Sequence, residues 1–175
     1  DLLSKCLRPL PDKFKGMTDV DHIYRQRELD LIMNEDSRKR FEIRHATVAS
    51  VRKTLLDRGY TEVEGPVLHD EPNGATAKPF ITHHNALDMD LHLRIALELH
   101  LKRLVVGGME RVFEIGRIFR NEGISTRHNP EFTMMECYEA FGDYNTMMEL
   151  TEAIVSNAAR DAIGRSTVQF GDHEI

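Results

Sequence analysis

The sequence is 175 residues long, and 41% of its residues are hydrophobic while 30% are charged. This composition is typical of a globular chain with one sizeable core. No apolar run approaches the roughly 20 residues that a membrane-spanning helix needs, so the sequence predicts no membrane partner.

The formal net charge of −6 is unevenly distributed along the chain. Residues 1–130 carry 21 basic and 20 acidic side chains, whereas residues 131–175 carry 2 and 9. An acidic balance argues against unspecific nucleic-acid binding through bulk charge, although a local basic surface can still hold a nucleic acid. Cys6 and Cys137 lie far apart and match no metal or disulfide spacing, which favours a reducing, cytoplasmic location.

The first third of the chain predicts a linker and then helices. Residues 1–19 include LRPLPDKFKG, whose two prolines and glycine indicate a linker or an edge segment. A short helix and a turn follow, and from about Ser37 to Arg58 the pattern is helical, with Ser37 as the N-cap and Gly59 just past the C-terminus. The stripe expected to face inward consists of Phe41, His45, Val48, Val51 and Leu55.

The middle of the chain predicts two strands and a helix. TEVEGPVL at residues 61–68 alternates like a strand, with Pro66 confined to its edge or end. Residues 87–94 alternate more clearly, which indicates a half-buried strand with Leu87, Met89, Leu91 and Leu93 inward. Residues 96–106 then predict a helix that is closed by two glycines and faces inward through Leu97, Leu101 and Leu104.

The last third predicts an antiparallel hairpin of residues 110–121 and 131–141, followed by a helix of residues 144–163 with Asp143 as its cap. The inward stripe of that helix consists of Met147, Leu150, Ile154 and Ala158. Strands that lie between helices and are joined by hairpins indicate an α+β fold, an antiparallel sheet flanked by helices.

The most informative run is FRNEGISTRHNPEFTMMECY, residues 119–138. Its second half places Phe132, Glu136 and Tyr138 at a spacing of two or four residues, so on a strand they share one face. Arg120 and Glu122 have the same spacing on the preceding run. An antiparallel hairpin would therefore gather a guanidinium, two carboxylates, an aromatic ring and a phenol, which together suit an anion at one end and a cation at the other.

This run resembles motif 2 of the class II aminoacyl-tRNA synthetases, and in detail that of the lysine-specific enzymes. The resemblance continues through GYTEVEGPVL (59–68), GATAKPFITHHNALDMDLHLRIALELHLKRLVVGG (74–108) and ERVFEIGRIFRNEG (110–123), and it covers roughly residues 20–165. It implies that residues 20–175 are the N-terminal part of a class II catalytic domain. Residues 1–19 would be the linker from an N-terminal OB-type tRNA-binding domain, and we expect the chain to be an excerpt of a longer protein.

The resemblance also assigns roles at the nucleotide. Activation of an amino acid is the attack of its carboxylate on the α-phosphate of ATP, and its catalysis is chiefly positioning and charge neutralisation. By resemblance Arg120 is the catalytic arginine that bridges carboxylate and α-phosphate, and its planar fork suits both. Phe132 would stack on adenine and Glu122 would accept from the adenine amino group, while Arg127 and His128 would reach the outer phosphates.

Specificity for lysine requires groups that bind its two ammonium groups. Glu136 and Tyr138 share the Phe132 face, so a carboxylate and a hydroxyl can converge on the ε-ammonium, and an acidic pocket of this kind calls for a cation. By resemblance Glu98 binds the α-amino group, and the backbone carbonyl of Gly74 does the same.

The sequence predicts no metal ligands. The histidines have no helical ligand pairing and no cysteine joins them, which argues against zinc; they are His83, His84, His92 and His100. By resemblance ATP brings Mg²⁺, whose acidic ligands lie in later strands of the family.

Three positions depart from the family pattern near the amino-acid pocket. Asn73 stands where a glycine is usual, Leu97 where a proline is usual and His100 where a tyrosine is usual, and we expect these changes to loosen or re-aim Glu98. Residues 139–175 contain no Gly-rich run ending in arginine, the family's motif 3, so the chain is expected to hold about half of a site.

The resemblance implies activation of L-lysine with ATP to lysyl-adenylate and transfer of the lysyl group to tRNA(Lys). It further implies a homodimer through the motif 1 segment, residues 37–66, with Pro66 in the interface. Two alternatives stay open at this point. One is a paralogue that attaches lysine to a translation factor, and the other is a non-catalytic remnant that keeps only dimerisation or ligand binding.

Overall fold

The structure, a computed structural model, describes residues 3–5, 7–12 and 16–175. Cys6 and part of the linker predicted for residues 1–19 lie outside the described residues. The chain divides into two compact units, one of residues 52–154 and one of residues 1–51 with 155–175. All residues predicted to form the site belong to the unit of residues 52–154.

A buried carboxylate on the second helix is bonded to the first turn of the longest helix. Helices α1 (Val20–Arg25), α2 (Arg27–Met33) and α3 (Glu35–Asp57) follow one another. Asp30 of α2 is fully buried and accepts hydrogen bonds from Asn34 Nδ2 at 2.7 Å and Ser37 Oγ at 2.8 Å. These bonds, that from Asn34 above all, hold the pKa of Asp30 below its ordinary value. Because the Ser37 hydroxyl binds Asp30 and α3 begins at Glu35, the prediction of Ser37 as the N-cap is wrong.

The C-terminal end of α3 forms as the sequence predicts. Gly59 has a φ of +79°, its N–H donates to Leu56 O at 2.9 Å, and the next N–H, that of Tyr60, donates to Leu55 O at 3.1 Å. This pair of bonds is the glycine-terminated helix end known as the Schellman motif. It turns the chain directly from α3 into the first strand.

The inward face of α3 differs from the predicted stripe. Of the five stripe residues, Leu55 is fully buried and the two valines are half-buried, but Phe41 and His45 are exposed. The helix buries Ser50 instead, whose hydroxyl donates to Asp161 Oδ2 at 2.6 Å. A polar residue lies inside because a carboxylate from a distant part of the chain satisfies it.

The sheet that carries the site is the predicted hairpin with one added strand. Strands β5 (Arg111–Phe119) and β6 (Glu131–Glu139) pair antiparallel along their full length, from Arg111↔Glu139 to Phe119↔Glu131. The short strand β1 (Thr61–Glu62) pairs parallel with β5 on its other side. The mixture of helices and small sheets confirms the α+β class, but this sheet is mixed rather than purely antiparallel.

A second, separate sheet contains the remaining strands of this unit. Its order is β2 (Leu68–His69), β4 (Met89–Leu93) and β3 (Ile81–His84), and all of its pairs are antiparallel. The strand predicted for residues 87–94 therefore exists, although it is shorter. Leu87 and Met89 are exposed rather than inward, because β3 and β4 extend into solvent at that end.

Helix α4 (Glu98–Val106) forms where the sequence predicts a helix, and it packs on the β5–β6 hairpin. Leu97 and Leu101 are buried against Val112 and Ile118 of β5, and these four side chains form the centre of the core. The helix ends at Val106 with Gly107 as its C-cap residue, and the following Gly108 has a positive φ of +100°. Leu97 is the N-cap residue of α4 and packs against Val112 and Ile118. The start of the helix is therefore held against the face of the hairpin that carries the predicted site.

A buried ion pair lies beside that face. Arg94 Nη1 and Glu114 Oε1 are 2.6 Å apart, and both side chains are about 5% exposed or less. The backbone completes the arrangement, because Arg94 Nε donates to Arg117 O and the Gly65 N–H donates to Glu114 Oε2. A Cβ at Gly116 would lie 2.2 Å from Arg94 Nη2, so only glycine leaves room for this pair.

The last long helix, α5 (Tyr144–Ile163), begins at the predicted cap. Asp143 Oδ1 accepts from the N–H groups of Asn145 at 2.9 Å and Thr146 at 3.0 Å. These bonds, that from the Thr146 backbone first, lower the pKa of Asp143. A small hairpin of β7 (Gln169–Phe170) and β8 (His173–Glu174) follows. Among the described residues no helix combines the length and the apolar character that crossing a membrane requires.

Candidate active site

The register of the hairpin places the predicted residues on one face. Partners across an antiparallel pair share a face, and β6 pairs Phe132 with Ile118 and Tyr138 with Val112. Glu136 lies between them and pairs with Glu114. Two carboxylates directly opposite each other would repel, but Glu114 is neutralised by its buried arginine and Glu136 has hydrogen-bond donors of its own.

Arg120 continues this face beyond the end of β5. Its N–H donates to Pro130 O at 2.8 Å, which extends the hairpin by one further pair. Its guanidinium lies 5.3 Å from the centre of the Phe132 ring, and Nε and Nη2 both donate to Ile95 O at 3.3 Å. The Ile95 carbonyl and the Phe132 ring together fix the orientation of the guanidinium plane. The remaining N–H groups of the guanidinium take no part in these two contacts.

A cavity of about 340 Å³ opens beside this arginine. It is lined by Arg120, Glu122, Gly123, Arg127, His128, Asn129 and Phe132. The structure thus brings together around one cavity all five residues that were predicted to bind the nucleotide.

The loop of the hairpin folds back on itself at this cavity. Ser125 and His128 exchange backbone hydrogen bonds of 3.1 and 3.2 Å, and the Ser125 hydroxyl lies 2.8 Å from His128 Nδ1. The same hydroxyl oxygen accepts from the N–H of Arg127 at 3.2 Å. A four-residue turn therefore holds the arginine and the histidine at the rim of the cavity.

Glu122 is held at the cavity by a backbone hydrogen bond that the sequence did not reveal. The Lys78 N–H donates to Glu122 Oε1 at 3.3 Å, and the Asn121 N–H donates to Lys78 O at 2.7 Å. The turn-rich loop before β3 is therefore bound to the segment after β5. Both contacts use the backbone of Lys78, and no side-chain pattern in that loop indicated them.

Glu136 and Tyr138 meet at the other end of the face. The Tyr138 hydroxyl donates to Glu136 Oε2 at 2.9 Å, and the N–H of Leu97 donates to Glu136 Oε1 at 3.2 Å. Burial and the neighbouring carboxylate raise the pKa of Tyr138 above its ordinary value, so the phenol stays protonated at neutral pH. A carboxylate and a neutral hydroxyl thus lie together at the start of α4.

Gly74 and Glu98, to which the resemblance assigns one shared role, lie next to each other. A Cβ on Gly74 would lie 3.2 Å from Glu98 Cβ and 2.9 Å from Ala96 Cβ, and Gly74 has a φ of +80°. A side chain at position 74 is therefore excluded both by space and by backbone conformation. Glu98 is the first residue of α4, so its carboxylate also interacts favourably with the helix N-terminus.

The three departures from the family pattern make different contacts in the structure. The N–H of Leu97 donates to Glu136, a bond that a proline at this position could not make. The Asn73 side chain donates to Glu71 O at 3.0 Å, within its own loop. His100 packs against His69, with ring centres 4.8 Å apart, and burial lowers the pKa of His100. The departure at Leu97 therefore ties down Glu136, an effect that sequence reasoning did not anticipate.

Pro66 lies between β1 and β2 and is exposed. Its carbonyl accepts from His69 Nε2 at 3.0 Å, which fixes the turn into β2. The neighbouring Val67 and Leu68 are 39% and 47% exposed, so an apolar strip lies at the surface here.

The two ends of the face have opposite chemical preferences. A planar cation over an aromatic ring, beside a cavity, suits a phosphate group and a base, whereas two carboxylates beside a phenol suit ammonium groups. The face therefore offers chemistry for an anion and an aromatic base at one end and for a cation at the other. Within the described residues no group of three or more His, Cys, Asp or Glu side chains could hold a metal ion.

Comparison with known proteins identifies the family. A family model described as tRNA synthetases class II (D, K and N) matches residues 19–173. The chain is 61% identical over 174 residues to a lysine–tRNA ligase of Halalkalibacterium halodurans and 58% identical over 175 residues to that of Bacillus subtilis. These alignments cover 99% and 100% of the chain, which spans 35% of the length of either relative. The chain belongs to the class II tRNA synthetases of the D, K and N family.

Proposed function

We propose that the protein containing this chain activates L-lysine with ATP to form lysyl-adenylate and transfers the lysyl group to tRNA(Lys) in the cytoplasm. The chain contributes part of a class II catalytic core. Both similar relatives described above are lysine–tRNA ligases, which supports this choice within the family. No feature of the described residues favours a paralogue that modifies a translation factor or a non-catalytic remnant, so neither is carried further.

One observation carries the proposal: Arg120 and the Glu136–Tyr138 pair occupy opposite ends of one hairpin face. Residues two apart on one face of a strand are about 7 Å apart, so the span from Phe132 to Glu136 is about 13 Å. That span accommodates adenine and α-phosphate at the arginine end and a lysine side chain at the acidic end. Arg120 would then bridge the lysine carboxylate and the α-phosphate.

In this proposal each residue at the arginine end of the face has its own role in binding ATP or in catalysis. Phe132 offers a stacking surface for adenine, Glu122 an acceptor for its amino group, and Arg127 and His128 positive or hydrogen-bonding groups for the outer phosphates. Arg120 neutralises charge that develops as the carboxylate attacks the α-phosphate and pyrophosphate departs. Bound Mg²⁺ would supply further neutralisation of the phosphates, with ligands outside the residues described here.

The choice of amino acid is tested by pyrophosphate exchange in the complete protein. Because aspartate would bring a carboxylate toward Glu136 and asparagine an uncharged amide, we expect lysine to support exchange on the order of a hundredfold better than either. A reaction without amino acid gives the background. Exchange that aspartate or asparagine supports as well as lysine does would refute the proposed substrate.

We also propose that the complete protein is a homodimer through residues 37–66, with Pro66 in the interface. The exposed apolar strip of Val67 and Leu68 next to Pro66 supports this assignment, because a two-fold dimer buries the same patch on both subunits. Light scattering of the complete protein at micromolar concentration should give twice the monomer mass. A monomer that still forms adenylate would contradict the proposal.

A further inference from the structure

Four residues meet at the N-terminal end of α4: Gly74, Glu98, Glu136 and Tyr138. One further side chain interacts with two of them, Glu98 and Tyr138. Glu98 Oε2 lies 3.7 Å from the position that a Cβ on Gly74 would occupy. The Tyr138–Glu136 hydrogen bond lies alongside, and the negative charge of Glu98 contributes to the raised pKa of Tyr138. The additional side chain is that of Lys102, one turn along the helix.

Lys102 connects the two parts of this pocket. Its ammonium forms an ion pair with Glu98 Oε1, and it lies 5.8 Å from the centre of the Tyr138 ring. The ion pair belongs to α4, whereas the ring belongs to β6. Lys102 is 54% exposed and Glu98 is 33% exposed, so the ammonium lies at the rim and the carboxylate extends further inward.

The two oxygens of Glu98 are therefore used differently. Oε1 binds the Lys102 ammonium, and Oε2 is the oxygen directed at Gly74. A free glutamate at the start of a helix can rotate among several side-chain conformations, and a charged partner on one oxygen selects among them. The conformation selected here leaves Oε2 beside the Gly74 backbone, where the α-amino group of an amino acid would be bound.

We propose that Lys102 is a positioning residue for amino-acid binding, which acts by holding Glu98 so that Oε2 faces the α-amino group of the substrate. This inference rests on the proposed function. The contact with the Tyr138 ring keeps the Lys102 ammonium at the pocket rather than in solvent, because the face of an aromatic ring attracts a cation. An ordinary ion pair at the helix surface would support the helix alone and would not affect ligand binding.

The test uses the complete protein with Lys102→Met, which keeps the length of the side chain and removes its charge. We expect the KM for lysine in pyrophosphate exchange to rise roughly 5- to 10-fold, with kcat and the KM for ATP within twofold of the original, because only the ground-state hold on one ammonium is weakened. Lys102→Arg restores the ion pair and should bring the KM for lysine back to within about twofold. Arg103→Met, which removes an exposed cation from the next position of α4, is the matched control and should leave all three constants unchanged.

A second measurement separates positioning from general damage to the pocket. 6-Aminohexanoate is lysine without its α-amino group, so its inhibition constant against lysine should stay within twofold in Lys102→Met. An equal rise of both constants would overturn the inference, as would an unchanged or lowered KM for lysine, since a lowered value means that Lys102 competes with the substrate. Absence of lysine-dependent exchange in the unmodified protein would instead refute the proposed function itself.

Discussion

Replacement of Arg120 by lysine in the complete protein is expected to lower lysine-dependent pyrophosphate exchange by about 10²- to 10³-fold. The guanidinium donates to Ile95 O through Nε and Nη2 while it lies over the Phe132 ring. A lysine ammonium is a single point charge, so it cannot keep this anchor and also offer a planar fork to carboxylate and phosphate oxygens. The rate should fall in kcat, because the lost contacts strengthen as the reaction proceeds.

Arg117→Lys is the matched control for this experiment. Arg117 lies on β5, three residues before Arg120, but its position in the register places it on the opposite face of the hairpin, where it is exposed. The same chemical change there should alter exchange by less than about twofold, since a surface substitution away from the site has little effect. Unchanged exchange in Arg120→Lys, with both variants folded by circular dichroism, would remove Arg120 from the proposed catalytic role.

Glu136→Gln is expected to raise the KM for lysine by about a hundredfold while the KM for ATP stays nearly constant. Glutamine keeps the size of the side chain and one oxygen for the Leu97 N–H, but it has no charge to pair with an ammonium. Loss of one partner of a buried ion pair costs about 3–5 kcal/mol, and because Glu136 is half-buried the lower end of that range applies. Norleucine, which lacks the ε-amine, should gain relative to lysine in this variant.

Glu131→Gln provides the control on the same strand. Glu131 pairs with Phe119, lies on the opposite face from Glu136 and is exposed, so its substitution should leave both KM values within about twofold. Loss of ATP use in Glu136→Gln with lysine binding retained would refute the lysine assignment. Glu136 would then belong to the part of the site that binds the nucleotide.

Local sequence patterns predicted those elements that local chemistry controls. The alternation along residues 131–139 predicts strand β6 and its site face, and the hairpin forms with the expected partners. Asp143 caps α5, and Gly59 ends α3, because each needs only neighbours within a few residues. The same locality explains why Arg120, Phe132, Glu136 and Tyr138 could be placed together from the sequence.

Predictions that depended on distant parts of the chain were less accurate. The stripe assigned to α3 put Phe41 and His45 inside, whereas the structure exposes both and buries Ser50. Periodicity gives the angle between side chains on a helix, but the face that turns inward depends on what packs against it. Here Ser50 is on the inward face, where its hydroxyl donates a hydrogen bond to Asp161. Ser37 failed as an N-cap for a similar reason, because buried Asp30 takes its hydroxyl.

The sequence by itself therefore determined which residues of the hairpin share a face, where the major helices end and which chemical groups the candidate site contains. The tertiary structure alone decided how those groups are held: Ile95 O binds Arg120, Leu97 N–H binds Glu136, and the backbone of Lys78 binds the segment of Glu122. Each of these contacts joins a side chain to a backbone atom 25 to 44 positions away. Every residue type but proline offers the same backbone donor and acceptor, so side-chain identity cannot reveal them before the chain has folded.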